Sequence, residues 1–496
     1  MTDHQSSYRQ IIKATSLFGG VQVFNIIILL IRSKFIAVLL GPVGMGIAGL
    51  LTTTAGLVSG LTNFGLGTSA VRDVVAANAV GNQTQLNIVI TVLRRLVWIT
   101  GTLGMLVMLV LSPWLSELSF GNHNYTWAFA WISVTLLFSQ LSVGRLTVLQ
   151  GMRKLKYLAK ASLLGNALGL VVTVPLYYWY GIDAIVPAII IASIVSLLLS
   201  FYFSRKIKID KVKLSGIKTI AEGKNMLTMG FMISLSGMIS FVASYIVCIF
   251  ISNTGGVGEV GLYNAGFVII NSYVSLIFTS MATDYYPRLS NIAHSNELCK
   301  QAINQQAEIA LLILFPIIII FLVFIQWVVI LLYSNMFIKI DDMIHWAAIG
   351  MFFKAASWSV AFIFISKGDS KTFIFSELAA NVYMLFFNII GYYYFGLKGI
   401  GISYFISYLL YLIQVFWIAR VKYDFSFEPV FYRIFGKQFF IAIICFVIVK
   451  TVDKPYSYFI GIILIIISVW YSYKELDKRL GIKTIIVSFK DKHFRK

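Results

Sequence analysis

Long apolar runs, broken by short polar or glycine-rich turns, recur from one end of the chain to the other. Most reach 18 residues or more, enough for an α-helix to cross about 30 Å of hydrocarbon. The weaker ten-residue alternation of a membrane β-barrel is not what they show. The pattern predicts an all-α polytopic membrane protein with about 14 transmembrane helices. We place them near 14–40, 45–70, 86–112, 125–150, 157–180, 183–203, 225–251, 260–284, 306–333, 343–366, 372–395, 399–419, 437–450 and 456–473. Turns such as GPVG at 41–44, YGID at 180–183 and TGGVG at 254–258 separate neighbouring runs. Composition agrees: 59% hydrophobic and 12% charged residues, with a mean hydropathy of +0.85, exclude a soluble globule. The first run carries no small-residue cleavage pattern, so no cleavable signal peptide is expected. Cys248, Cys299 and Cys445 lie in or beside spans and suggest no disulfide framework.

A net charge of +20 would suggest nucleic acid in a soluble chain, but here the distribution follows topology. With the N-terminus inside, Arg72, Arg94, Arg95, Arg153, Lys154, Lys156 and Lys160 fall in inner loops or at their edges. The loop after the sixth span adds Arg205, Lys206, Lys208, Lys211, Lys213, Lys218 and Lys224, and the C-terminal tail is basic. Only Lys339, Lys398, Lys450 and Lys454 fall outside. That asymmetry sets both termini on the cytoplasmic side. The basic loops then face an anionic leaflet and need no nucleic-acid partner.

An internal repeat orders the spans. YYWYG at 177–181 recurs as YYYFG at 392–396, 215 residues on. Gly41 and Gly256, Gly46 and Gly261, and Asn166 and Asn381 match at the same offset. Six spans per repeat give two six-helix lobes of like orientation, related by a pseudo-twofold along the membrane normal, with two extra C-terminal helices. The expected division is an N-terminal lobe at 1–203, a basic cytoplasmic linker at 204–224, a C-terminal lobe at 225–422, and two helices plus a basic tail at 423–496. Transporters are built this way, with the substrate site at the repeat interface.

Ionisable groups inside spans narrow the chemistry. Lys354 lies 11 residues from one end of the 343–366 run and 12 from the other, near the midplane. An ammonium there costs about 2.5–3.5 kcal/mol, so it marks either a functional site or a lysine buried against a carboxylate for packing. Four-residue spacing puts Gly350, Lys354 and Trp358 on one face. In the first span Thr15, Gln22, Asn25 and Arg32 form one polar stripe, and Lys34 faces elsewhere, within snorkelling reach of the outer end. The second span shows Thr52, Gly56, Ser59 and Asn63 on one face, and the eighth shows Asn264, Asn271 and Ser275. Such stripes line a cavity or serve as helix-packing glue. Arg145 in the fourth span and Glu377 at the start of the eleventh are interfacial or functional. Cations outnumber the lone acid Glu377, which suits an anionic, phosphate-bearing substrate. A pump for cationic drugs would show the reverse sign.

Enzyme signals are not found. The histidines (His4, His123, His294, His345 and His493) are scattered, with no metal-ligand spacing. Neither a nucleophile elbow nor a phosphate loop is present. No catalytic residue, metal or cofactor is expected, and short outer loops disfavour a glycan polymerase or ligase.

The stretch LLYSNMFIKIDDMIHWAAIGMFFKAASW (331–358), followed by FSELAAN (375–381), resembles the Wzx-type O-antigen and enterobacterial common antigen flippases. GPVGMGIAGL after SKFIAVLL, NFGLGTSAVR, and LQGMRK with the following GNALGLVV carry the same resemblance through spans 1–12. It implies the multidrug/oligosaccharidyl-lipid/polysaccharide exporter fold in the bacterial inner membrane. The implied cargo is an undecaprenyl-pyrophosphate-linked oligosaccharide, moved to the periplasmic leaflet by alternating access. A polysaccharide polymerase and a chain-length regulator are the implied protein partners. Lys34, Lys354 and Glu377 fall on charged positions of those flippases. Where relatives carry an acid just after the glycine of span 10, this chain has Met351. The expected substrate-binding residues are therefore Lys354, Arg32, Lys34, Arg145, Glu377, Asn271 and Trp358. A cation-coupled multidrug antiporter of the same fold is the alternative.

Overall fold

A computed structural model describes residues 3–79, 82–207, 209–210, 212 and 214–480. Its α-helices are α1 (Asp3–Thr62), α2 (Leu66–Ala79), α3 (Gln83–Phe120), α4 (Thr126–Gly151), α5 (Leu155–Tyr180), α6 (Ile185–Ser204), α7 (Gly216–Gly255), α8 (Val257–Asn291), α9 (Asn296–Leu332), α10 (Asp341–Ser366), α11 (Ser370–Tyr423), α12 (Pro429–Thr451) and α13 (Tyr456–Leu480). Ten stretches are long and apolar enough to cross a membrane. Three of them, Val23–Thr62, Leu155–Ser204 and Ser370–Tyr423, each hold two rods joined at a glycine, and α8 supplies a further rod. The fourteen expected spans are thereby accounted for among the described residues. Several helices outrun their apolar cores: α7 begins at Gly216, so the second half of the basic 204–224 stretch is helical, with Ser215 accepting from the Lys218 N–H at 3.3 Å as its N-cap. The side chains of Thr15, Gln22 and Ser275, and the basic tail at 481–496, lie outside the described residues.

The joints explain the repeat. Gly41 (φ 66°, ψ −170°) and Gly256 (φ 86°, ψ 168°) share one conformation, and Gly181 (φ 56°, ψ −132°) and Gly396 (φ 58°, ψ −142°) share another. Positive φ with extended ψ is open almost only to glycine, so the recurring glycines mark where a rod must turn. A second echo lies nearby. A Cβ on Gly46 would sit 1.9 Å from the Val257 carbonyl oxygen, and a Cβ on Gly261 1.9 Å from that of Pro42. The partners are themselves 215 residues apart, so the contact is reciprocal. Gly49 and Asn264, also 215 apart, meet each other there, Asn264 Nδ2 lying where a Cβ on Gly49 would go. Small residues allow this backbone approach in a membrane, where close packing drives helix association.

The chain forms two compact units. The first comprises Met1–Ala265 with Leu332–Met336, the second Gly266–Leu331 with Phe337–Lys496. In the first, Leu66, Ala70 and Val74 of α2 pack with Ile90, Leu93 and Val97 of α3 and Val148 of α4. Asn25 of α1 accepts from Asn166 Nδ2 at 2.9 Å and donates to Ser162 at 3.4 Å, so that part of the polar stripe ties α1 to α5. In the second unit α10 is the central helix, 78% buried over its most apolar window against 22% for α12. Gly350 of α10 lies against Tyr404 and Phe405, and Gly401 of α11 against the Met343 backbone. His345 is 1% exposed and joins α10 to α9, with Nδ1 2.8 Å from the Asp341 carbonyl oxygen and Nε2 3.0 Å from that of Leu322. α13 docks through Arg479, whose Nε donates to the buried Glu308 carboxylate of α9 at 2.8 Å. The cysteines Cys248, Cys299 and Cys445 are buried and free.

Candidate functional site

Because α10 is enclosed, a residue in its middle cannot reach water by extending its stem, and Lys354 is half-buried among side chains of α11. Its Nζ donates to the Tyr404 hydroxyl at 3.1 Å and lies 5.6 Å from the Tyr404 ring centre and 5.0 Å from that of Tyr408. Tyr404 in turn donates to Met351 Sδ at 3.3 Å. The thioether, at the position where the resemblance implies an acid, accepts the tyrosine's hydrogen bond and brings no charge to the lysine. Among the described residues no carboxylate pairs with Lys354. Its partners among the described residues are a hydroxyl and two ring faces.

The second rod of α11 carries a row at helical spacing, Tyr404, Tyr408 and Tyr411. Tyr404 and Tyr408 rings are 4.6 Å apart, Tyr408 and Tyr411 6.4 Å. At the far end Tyr411 donates to the Glu377 carboxylate. The row therefore runs from an ammonium to a carboxylate, and two sequence candidates on different helices belong to one constellation. Tyr383, on the first rod of α11, has a buried hydroxyl with no hydrogen-bond partner among the described residues. A buried unpartnered hydroxyl is a group in want of a ligand or water. Sequence reasoning missed the tyrosines. Their i, i+4, i+7 spacing was the available signal, but in a membrane helix tyrosine reads as apolar filler until its hydroxyl has a partner.

Trp358, one turn beyond Lys354, stacks on Phe278 at 4.8 Å and meets Phe362 at 5.0 Å and Tyr285 at 5.8 Å. Asn271 is exposed on α8. The remaining candidates belong to the first unit. Arg32 is half-buried and Lys34 exposed on the first rod of α1. Arg145 of α4 lies with its guanidinium 4.2 Å from the Phe201 ring centre and donates to Ser204 at 3.4 Å. No group of three or more metal-ligating side chains occurs among the described residues.

A helical chain with this many spans and a charged, tyrosine-lined interior is a multi-pass membrane protein of transporter type. Residues 35–342 match the family described as polysaccharide biosynthesis protein, and the chain belongs to that family. A Shigella flexneri protein assigned as an O-antigen transporter is 24% identical over 397 residues, covering 77% of this chain and 91% of its own length. Among solved structures, an inward-facing multidrug resistance transporter of the MATE family, in the MOP superfamily, matches 81% of this chain and 94% of its own with a TM-score of 0.69 at 16% identity. The lipid II flippase MurJ, in an inward closed conformation, matches 94% and 99% with a TM-score of 0.68 at 14% identity. The fold is that of the MOP superfamily.

Proposed function

We propose that the chain is a translocase that carries an undecaprenyl-pyrophosphate-linked oligosaccharide from the cytoplasmic to the periplasmic leaflet of a bacterial inner membrane, with both termini cytoplasmic. The observation that carries this reading is the ammonium of Lys354, held by Tyr404 and Tyr408 with no acid on it among the described residues. A diphosphate supplies the missing counter-charge, and the free N–H groups of the ammonium are donors for its oxygens. The tyrosine row offers ring faces and hydroxyls to sugars, and Glu377 accepts from sugar hydroxyls at its far end. Unaided, an oligosaccharide crossing hydrocarbon loses the water on every hydroxyl, at several kcal/mol each. A polar site exposed alternately to the two faces removes that barrier. The likeness to an O-antigen transporter and to a lipid II flippase supports the same class of cargo.

The test is Lys354→Ala in a strain lacking the chromosomal copy. Surface glycan should be lost and lipid-linked precursor should accumulate on the cytoplasmic face, with the protein present at normal abundance. Normal glycan would remove Lys354 from the site. The likeness to a multidrug transporter favours one rival, a cation-coupled drug antiporter. That rival predicts broad drug sensitivity on deletion and no glycan defect.

A further inference from the structure

The arginines of the first unit present a second cationic arrangement, remote in sequence from the Lys354 row. Gly144 of α4 packs directly on Val97 of α3, which brings the turn holding Arg94 beside Arg145. Both guanidinium groups are half-buried, and each lies within electrostatic range of the other. Neither meets a carboxylate among the described residues. Arg145 and Arg205 share the Phe201 ring of α6, at 4.2 and 5.2 Å from its centre. Lys206 stands at the rim, 4.7 Å from the Tyr202 ring. Arg94 and Arg145 are like charges half-withdrawn from water, and an anion joining them offsets their repulsion. The guanidinium fork, weakly hydrated and bidentate, is the side chain best suited to phosphate.

The source of that phosphate follows from the surroundings. α6 reads IVPAIIIASIVSLLLSFYFS, apolar on every face, and Leu198, Phe201 and Tyr202 are exposed on it. An all-round apolar helix in such a chain has hydrocarbon on its exposed side. Arg145 lies six residues inside the end of α4, and Arg205 directly follows the end of α6.

We propose that Arg94, Arg145 and Arg205 form a site for the phosphate of a membrane lipid, approached from the bilayer. Its leaflet, the cytoplasmic one, rests on the orientation proposed above; the site itself does not. Two lipids present that chemistry, an anionic phospholipid of the bilayer and the polyprenyl diphosphate cargo.

The experiment uses the full chain, purified in uncharged detergent, with melting temperature and lipid adducts by native mass spectrometry as readouts. Phosphatidylglycerol, a polyprenyl diphosphate and inorganic phosphate are titrated separately. Wild type should be stabilised by one or both lipids, and Arg94→Gln/Arg145→Gln should bind that lipid at least tenfold more weakly. Response to phosphatidylglycerol names the phospholipid as the source, and response to the polyprenyl diphosphate alone names the cargo. Without lipid the double variant should melt no lower than wild type, because a like-charge contact has been removed. Arg205→Gln, at an exposed position, repeats the lipid test without disturbing the interior. Equal lipid response in both variants and wild type would overturn the proposal. So would stabilisation by inorganic phosphate alone, or a double variant that melts lower and keeps its lipid response. Loss of glycan export in Lys354→Ala leaves this result untouched, so the two readings fail separately.

Discussion

Lys354→Met asks whether the lysine is kept for stability or for use. In the folded protein the ammonium has one hydrogen bond, to Tyr404, and two ring faces, of Tyr404 and Tyr408. An interhelical hydrogen bond in a membrane is worth about 0.6 kcal/mol on average and about 1.7 at most. Each ring contact adds about 0.5–1 kcal/mol. Together these contribute about 2–4 kcal/mol, against an ammonium's cost at the midplane of about 2.5–3.5 kcal/mol. The terms nearly cancel. Methionine fills much the same volume, and Tyr404 keeps Met351 as its acceptor, so the substitution orphans no polar group. We expect a change in stability within about 1 kcal/mol, or about 1 °C in melting temperature for a chain of this size. Glycan export should fall at least tenfold. The assay pairs a detergent melting curve with surface-glycan complementation. A variant melting about 4 °C or more below wild type would make the lysine a structural element, and full complementation at unchanged stability would leave it with no role at all.

Three further outcomes follow from the packing. Gly46→Ala and Gly261→Ala each force a Cβ into a backbone carbonyl 1.9 Å away, whereas a Cβ added to Gly56 would meet nothing within 4 Å. The first two should each cost about 1–3 kcal/mol or more by overpacking and reduce recoverable protein, while Gly56→Ala should be recovered like wild type. Arg479→Ala strands the buried Glu308 carboxylate and should cost about 3–5 kcal/mol; the partial exposure of Arg479 places the loss at the lower end. Limited proteolysis near α13 reads the loss, and Glu308→Gln in the same chain should restore much of it. Asp369, in the turn before α11, accepts from Lys422 Nζ at 2.9 Å, Thr372 Oγ1 at 2.7 Å and Tyr423 Oη at 2.8 Å, and these donors hold its carboxyl below the usual range. A carboxyl depressed on folding stabilises above its unfolded pKa of about 3.9, and that contribution is lost as pH falls through the lower folded value. Melting curves should show the loss only below about pH 4, and Asp369→Asn should flatten that acid limb.

Much of the architecture is legible from the sequence because each signal concerns one helix or one backbone position. A span is a property of about 20 consecutive residues, and hydrocarbon thickness fixes its length whatever lies beside it. Gly41, Gly181, Gly256 and Gly396 could be read as joints because a positive φ is a local demand that only glycine meets cheaply. The midplane depth of Lys354 follows by counting. What touches Lys354 could not be counted, since periodicity assigns a residue to a face of its own helix and does not name the helix opposite. Only packing brought Tyr404 and Tyr408 onto the ammonium and Tyr411 onto Glu377, and only packing left the arginines of α3 and α4 together with no acid on them among the described residues. A hydroxyl, a ring face or a like charge acquires its meaning from its neighbour, and that neighbour is set by the tertiary structure.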